Sequence, residues 1–137
     1  MRRRPPRPRV LLADDHARLR EALRDLLEET GFEVVGESGD GADAVAMARQ
    51  LEPDIVVIDL RMPVFNGLDA TRRIRDGRAA TQVVVLSAFE SPELERQARE
   101  AGAFAYLDKG TMVRRVHRVL LGAAVQAVRA ANTGPPS

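Results

Sequence analysis

Five polar side chains stand just after short apolar runs, and their types belong together chemically. Asp14 and Asp15 follow Val10-Leu11-Leu12-Ala13, Asp59 follows Ile55-Val56-Val57-Ile58, and Ser87 follows Val83-Val84-Val85-Leu86. Lys109 comes just past the run Ala103 to Leu107. Three clustered carboxylates repel one another and raise each other's pKa values. A hard divalent cation relieves that repulsion, and Mg²⁺ takes a few carboxylates together with water and phosphate oxygens. No His or Cys is grouped for a zinc site. The expected ion is therefore Mg²⁺, with Mn²⁺ as the other candidate. A metal beside a carboxylate suits phosphoryl transfer, where spread negative charge must be neutralised. An aspartate can itself be the nucleophile and become an acyl phosphate. Lys109 would then neutralise another phosphoryl oxygen, and the Ser87 hydroxyl would donate to a third.

Lys109 stands out compositionally as well. The chain holds 21 basic residues, and every one except Lys109 is arginine. A lone lysine suggests a position where a compact ammonium is required rather than a planar guanidinium.

The elements that must position these groups alternate regularly. The run Val10 to Ala13 reads as a buried strand, and Leu19, Ala22, Leu23, Leu26 and Leu27 are spaced for one helix face closed by Gly31. Phe32 to Gly36 is a second strand, Gly39-Asp40-Gly41 a turn, and Ala42 to Leu51 a helix closed by Pro53. Ile55 to Ile58 is apolar on both faces, as a central parallel strand is. Arg61 to Gly67 is a loop, Leu68 to Arg75 a short helix, and Val83 to Leu86 a fourth strand. Ser91-Pro92 opens a helix with an N-cap serine and a proline at the first position, and Gly102 closes it. Ala103 to Leu107 is a fifth strand, and Thr111 begins the last helix.

Five βα repeats argue for a parallel sheet covered by helices on both faces. The expected fold is α/β and flavodoxin-like: a (βα)5 doubly wound, five-stranded parallel sheet of order 2-1-3-4-5. In such sheets the ligand crevice lies outside the carboxyl ends of the strands, where all five side chains would meet. Each position alone has an ordinary explanation. Asp14 and Asp15 can cap a helix, where anions favour the dipole, and Asp59 can be a loop residue. Five matched positions at the ends of successive elements are not explained that way.

Composition narrows the rest. The 137 residues suit one domain with a real core. The absence of cysteine excludes disulfides, thiolate metal sites and a Cys nucleophile. No apolar run approaches the roughly 20 residues of a membrane span, and the N-terminus is not a secretory signal, so a cytoplasmic protein is expected. Residues 2–9 hold five arginines and no acid, which leaves 16 basic against 20 acidic residues elsewhere, a balance of −4. That balance does not favour nucleic acid. Residues 1–8 are expected to be a disordered Arg/Pro leader, 9–131 one domain, and 132–137 a tail or the start of a linker.

The stretches Leu12-Ala13-Asp14-Asp15-His16, Asp59-Leu60-Arg61-Met62-Pro63, Asn66-Gly67-Leu68 and Ala101 to Lys109 carry a family resemblance. They resemble the receiver domains of two-component response regulators, especially receivers of LuxR/NarL-type regulators. The similarity spans about residues 9–121, with every motif in order. It implies that Asp59 is the phosphoacceptor and that Asp14, Asp15, Asp59 and the backbone carbonyl of Arg61 hold Mg²⁺. It also places Ser87 at the family's Thr/Ser position and Tyr106 at the aromatic switch position. Phosphorylation would draw the hydroxyl toward the phosphoryl group, turn the aromatic inward and alter the face made by the fourth helix, fifth strand and fifth helix. The implied donor is the phosphohistidine of a sensor histidine kinase or a small acyl phosphate. The implied target is a downstream protein that the sequence does not name.

The resemblance describes a signalling switch rather than a turnover enzyme, because the phosphoryl group ends on the protein itself. The other readings are a phosphorylation-independent scaffold and a truncated receiver of a DNA-binding regulator. Direct DNA binding is not expected, since no recognition helix follows. His16 is expected at a surface or capping position, His117 on the surface and Met62 in packing. Arg61 and Phe89 occupy variable positions beside the site. Gly110 replaces the proline common after the lysine and allows the loop more freedom. On the last helix, Val113, Val116, Leu120, Ala123, Ala124, Ala127 and Ala131 form a stripe expected to pack on the sheet. Leu121, Val125 and Val128 form a second stripe that one sheet cannot cover, which suggests a homodimer through that helix.

Overall fold

The computed structural model describes residues 7–132. Most of the expected leader and the tail beyond Asn132 lie outside the described residues. The elements run β1 (Arg9–Ala13), α1 (Ala17–Glu29), β2 (Glu33–Ser38), α2 (Gly41–Leu51), β3 (Ile55–Asp59), α3 (Gly67–Gly77), β4 (Gln82–Ser87), α4 (Pro92–Glu100), β5 (Ala105–Asp108) and α5 (Met112–Asn132). The strands pair in parallel in the order β2-β1-β3-β4-β5. This is the flavodoxin-like arrangement that the alternating pattern implies.

Local chemistry sets the helix boundaries. Asp40, Asn66 and Ser91 cap α2, α3 and α4 by accepting from the backbone N–H groups of Asp43, Asp69 and Leu94. Past α1, Gly31 takes φ +102°, a left-handed turn that favours glycine. Every residue of β3 and β4 is buried, as expected of strands covered on both faces. On one face Leu12, Val57 and Leu86 pack with Leu23, Leu27, Val116 and Leu120 from α1 and α5. On the other, Ala13, Ile58 and Val85 pack with Ala44, Ala70, Ile74 and Ala98 from α2, α3 and α4.

Three details differ from the pattern reading. Strand β5 begins at Ala105, because Gly102 at φ +106° and the bond from Ala103 N–H to the Ala98 carbonyl keep the chain turning after α4. Gly41 opens α2 at a point where a Cβ would lie 2.1 Å from the Phe65 carbonyl oxygen, so close packing rather than turn geometry requires glycine there. On α5 the buried stripe is Met112, Val116, Leu120, Ala123 and Ala127, while Val113 is 67% exposed. The long thioether of Met112 reaches the core from the helix start and displaces Val113 from the expected stripe. The second stripe is as expected: Leu121, Val125 and Val128 all remain exposed.

Candidate functional site

The carboxyl ends of β1, β3, β4 and β5 bring Asp14, Asp59, Ser87 and Lys109 to one edge of the sheet. Asp14, Asp59 and Ser87 are buried to within 3% of full exclusion from solvent. Lys109 Nζ donates to Asp59 Oδ2 at 3.0 Å and lies 3.1 Å from Asp14 Oδ2. The second contact neutralises charge without the alignment of a hydrogen bond, so Asp14 Oδ2 is a buried oxygen with no donor of its own. Asp59 Oδ1 accepts from the Arg61 N–H at 3.3 Å. The Lys109 N–H bonds the Ser87 carbonyl at 2.7 Å, which ties the lysine backbone to the end of β4.

The loop after β3 is held from behind. Gly67 N–H donates to the Leu60 carbonyl, and a Cβ at Gly67 would lie 2.6 Å from the Asp59 carbonyl oxygen. Only glycine permits α3 to start this close to the strand end that carries Asp59. Met62 is buried in the loop as expected. Gly110 does not use its freedom to adopt positive φ. Instead Asp108 closes that loop by accepting from the Thr111 N–H at 3.1 Å and hydroxyl at 2.6 Å.

Charge at the site is only partly balanced. Burial pushes the Asp59 carboxyl above its ordinary value, the Lys109 hydrogen bond opposes that shift, and the neighbouring Asp14 charge reinforces it. Burial also works against the Lys109 ammonium, but its pairing with Asp59 and Asp14 prevails and holds its pKa above the usual lysine value. One ammonium therefore serves two buried carboxylates, with Asp15 exposed beside them. One ligand atom from each of Asp14, Asp15, His16 and Asp59 lies within 4.8 Å of the others. A buried carboxylate oxygen without a donor, among clustered acids, is the donor set that a hard divalent cation fits.

The remaining residues frame this group. Tyr106 is buried, and its hydroxyl donates to the Phe89 carbonyl at 2.6 Å. The Phe89 N–H in turn donates to Ser87 Oγ at 3.2 Å. The Arg61 guanidinium stands 5.8 Å from the centre of the exposed Phe89 ring. His117 lies apart from the site at an exposed position of α5, edge-on to Phe32 at 6.0 Å.

Two contributors escape sequence reasoning. Arg20 on α1 donates to the Asp14 carbonyl and pairs with Glu37 at 3.4 Å, which fixes the loop that carries the acidic pair. No sequence signal marks it among so many arginines. His16 sits at the start of α1 but makes no side-chain cap. Its ring turns back onto the acids, with Nδ1 3.0 Å from Asp14 Oδ1 and 3.1 Å from Asp15 Oδ1. Its place directly after the acidic pair was the available clue.

The family model described as the response regulator receiver domain matches residues 10–121. The chain belongs to that family. Phosphorylation-dependent signalling in two-component systems is the family's function. Among curated relatives, the transcriptional regulatory protein PdtaR of Mycobacterium tuberculosis is 48% identical over 74% of this chain and 49% of its own length. The response regulator UvrY of Escherichia coli is 36% identical over 91% of this chain and 54% of its own. The chain thus spans about half the length of these relatives. Among solved structures, a LuxR-family two-component response regulator from Aurantimonas sp. SI85-9A1 is 31% identical, with a TM-score of 0.77 over 94% of this chain and 100% of that one. The response regulator domain of Thermotoga maritima CheB is 30% identical, with a TM-score of 0.76 over 95% and 100%. No helix among the described residues of this receiver is long and apolar enough to cross a membrane.

Proposed function

We propose that Asp59 is the phosphoacceptor of this receiver and that a sensor histidine kinase is its donor. The observation that carries the reading is the buried Asp59 carboxylate, paired with the chain's only lysine at 3.0 Å beside the donorless oxygen of Asp14. An Asp59 oxygen attacks the phosphorus of a phosphohistidine or a small acyl phosphate. The new P–O bond forms as the P–N bond, or the acyl P–O bond, breaks, and the leaving group departs with its electron pair. Lys109 neutralises one phosphoryl oxygen, and the Ser87 hydroxyl donates to another once Ser87 turns from Phe89. Asp14, Asp15, Asp59 and the Arg61 backbone carbonyl are the residues that would hold Mg²⁺ or Mn²⁺. A bound ion supplies charge neutralisation for the transferred group. The phosphoryl group ends on the protein itself, so the domain catalyses only its own phosphorylation and dephosphorylation.

The output is a change in the face formed by α4, β5 and α5, read by a downstream protein. Support comes from the chain of contacts from Ser87 through Phe89 to Tyr106, which links the site to β5 and to the loop before α4. Beryllofluoride, a mimic of the acyl phosphate, tests the reading. Fluorine NMR should show a bound species with wild type and Mg²⁺, and none with Asp59→Asn or after chelation. A bound species that survives Asp59→Asn would move the acceptor elsewhere.

The exposed stripe of α5 favours a second copy of the chain as a further partner. Helix α5 carries Arg114, Arg115, Arg118 and Arg129 and no carboxylate. Helix α1 packs on the same core cluster and exposes Glu21, Asp25, Glu28 and Glu29. A two-fold pairing that sets α5 of one copy beside α1 of the other covers Leu121, Val125 and Val128 and joins opposite charges. Sedimentation at micromolar concentration should show a dimer that Leu121→Glu dissociates; monomer alone in wild type would remove this reading.

A further inference from the structure

His16 is the feature of the site that the phosphoryl chemistry leaves unused. Its side chain is 69% exposed, yet it turns inward to the carboxylates rather than out to water. Its backbone N–H donates to Asp14 Oδ1 at 2.8 Å, which fixes the start of α1 against the acid and aims the ring at the same oxygen. Nδ1 is the facing atom, 3.0 Å from Asp14 Oδ1 and 3.1 Å from Asp15 Oδ1. Together with an oxygen of Asp59, these atoms form a group within 4.8 Å of one another.

Those separations suit shared coordination. Two ligand atoms bound about 2.1 Å from one ion at neighbouring octahedral positions lie about 3.0 Å apart. The imidazole therefore does not need to leave for an ion to enter. In the absence of an ion Nδ1 carries the proton that bonds the two carboxylates. An ion that enters displaces that proton, the ring keeps its proton on Nε2, and Nδ1 offers its lone pair alongside the carboxylate oxygens. Ligand type then decides which ion benefits. Mg²⁺ favours oxygen and gains little from imidazole, whereas borderline transition ions gain a strong nitrogen ligand.

We propose that His16 is a ligand of this metal site through Nδ1 and gives it a preference for borderline divalent transition ions, of the Co²⁺ and Ni²⁺ class, over Mg²⁺. The proposal rests on the reading of Asp14, Asp15 and Asp59 as the metal-holding carboxylates. It makes the ion that loads this chain depend on the residue after the acidic pair.

The test titrates the full chain separately with Mg²⁺ and Co²⁺ by calorimetry and follows Co²⁺ by its visible spectrum. His16→Ala, His117→Ala and Asp14→Asn are compared with wild type, and circular dichroism checks each fold. Co²⁺ should bind wild type more tightly than Mg²⁺. His16→Ala should weaken Co²⁺ by about tenfold or more and change its spectrum, with less than about a twofold effect on Mg²⁺. His117→Ala, which removes the only other imidazole, should change neither. Unchanged Co²⁺ affinity in His16→Ala, or equal weakening of both ions, would overturn the role of His16 and leave the carboxylate site standing. Wild type that takes up neither ion, or Asp14→Asn that binds both normally, would overturn the carboxylate site and this proposal with it.

Discussion

At the amino end of the sheet, guanidinium groups cover backbone carbonyls; at the carboxyl end, carboxylates crowd around one ammonium. Arg9 donates to the carbonyls of Leu51 and Glu52, Arg78 to those of Glu52 and Pro53, and Arg75 to those of Ala79 and Thr81. The Thr81 hydroxyl closes on Pro53 at 2.7 Å. Helix ends and loops there have donors for their orphan carbonyls, and that end is finished structurally. At the other end Asp14 and Asp59 share Lys109, and Asp14 Oδ2 has no hydrogen-bond donor. One fold thus satisfies its polar groups where it needs only stability, and leaves charge incompletely balanced where a cation and a phosphoryl group are to be met.

Substitutions at the two ends should therefore behave differently. The largest effect is expected from Gly67→Ala. Its Cβ would meet the Asp59 carbonyl at 2.6 Å, so α3 or the end of β3 must shift. Urea unfolding should show a loss of about 2 kcal/mol or more. A change within about 0.5 kcal/mol would mean that the loop behind Asp59 is softer than its packing implies.

Arg78→Ala comes next and belongs to the other end. It removes the Arg78 donors to the Glu52 and Pro53 carbonyls and to the Thr81 hydroxyl. Loss of about 1–2 kcal/mol is expected, with phosphorylation of the folded variant unchanged. An effect on phosphorylation would break the separation between the ends.

The smallest effect has the opposite sign. Burial raises the Asp59 carboxyl in the folded state. A carboxyl raised by folding contributes stability while protonated. That contribution is lost as pH climbs from the ordinary value of 3.8 through the raised one. Ionised Asp59 therefore costs stability at neutral pH. In metal-free buffer Asp59→Asn should melt a few degrees higher than wild type at pH 7, and the gap should close in acid below about pH 4. A variant that melts lower at pH 7 would show that the Lys109 pair outweighs burial.

Much of this contrast is legible in the sequence at the carboxyl end and little of it at the amino end. Buried strands such as Ile55–Asp59 and Gln82–Ser87 announce themselves through runs of β-branched residues. The parallel order then places Asp14, Asp59, Ser87 and Lys109 together without further information. Arg9, Arg75 and Arg78 look like any other arginine, because their carbonyl partners lie in loops that only tertiary packing brings near. The same limit hides Arg20 behind Asp14 and Phe89 between Ser87 and Tyr106. Gly41 and Gly67 read as turn residues, whereas what requires them is the close approach of another backbone. Met112 and Val113 are equally apolar neighbours at a helix start, and side-chain reach rather than periodicity decides which is buried.

The central claim is that chemistry belongs to the carboxyl end alone, through Asp59. Intact mass after incubation with acetyl phosphate and Mg²⁺ tests it most directly, with Asp59→Asn, Arg78→Ala and a chelated control run in parallel. Wild type and Arg78→Ala should each gain one phosphoryl group, and Asp59→Asn and the chelated sample none. A phosphoryl group on Asp59→Asn, or its absence from wild type that also fails to bind beryllofluoride, would contradict the account.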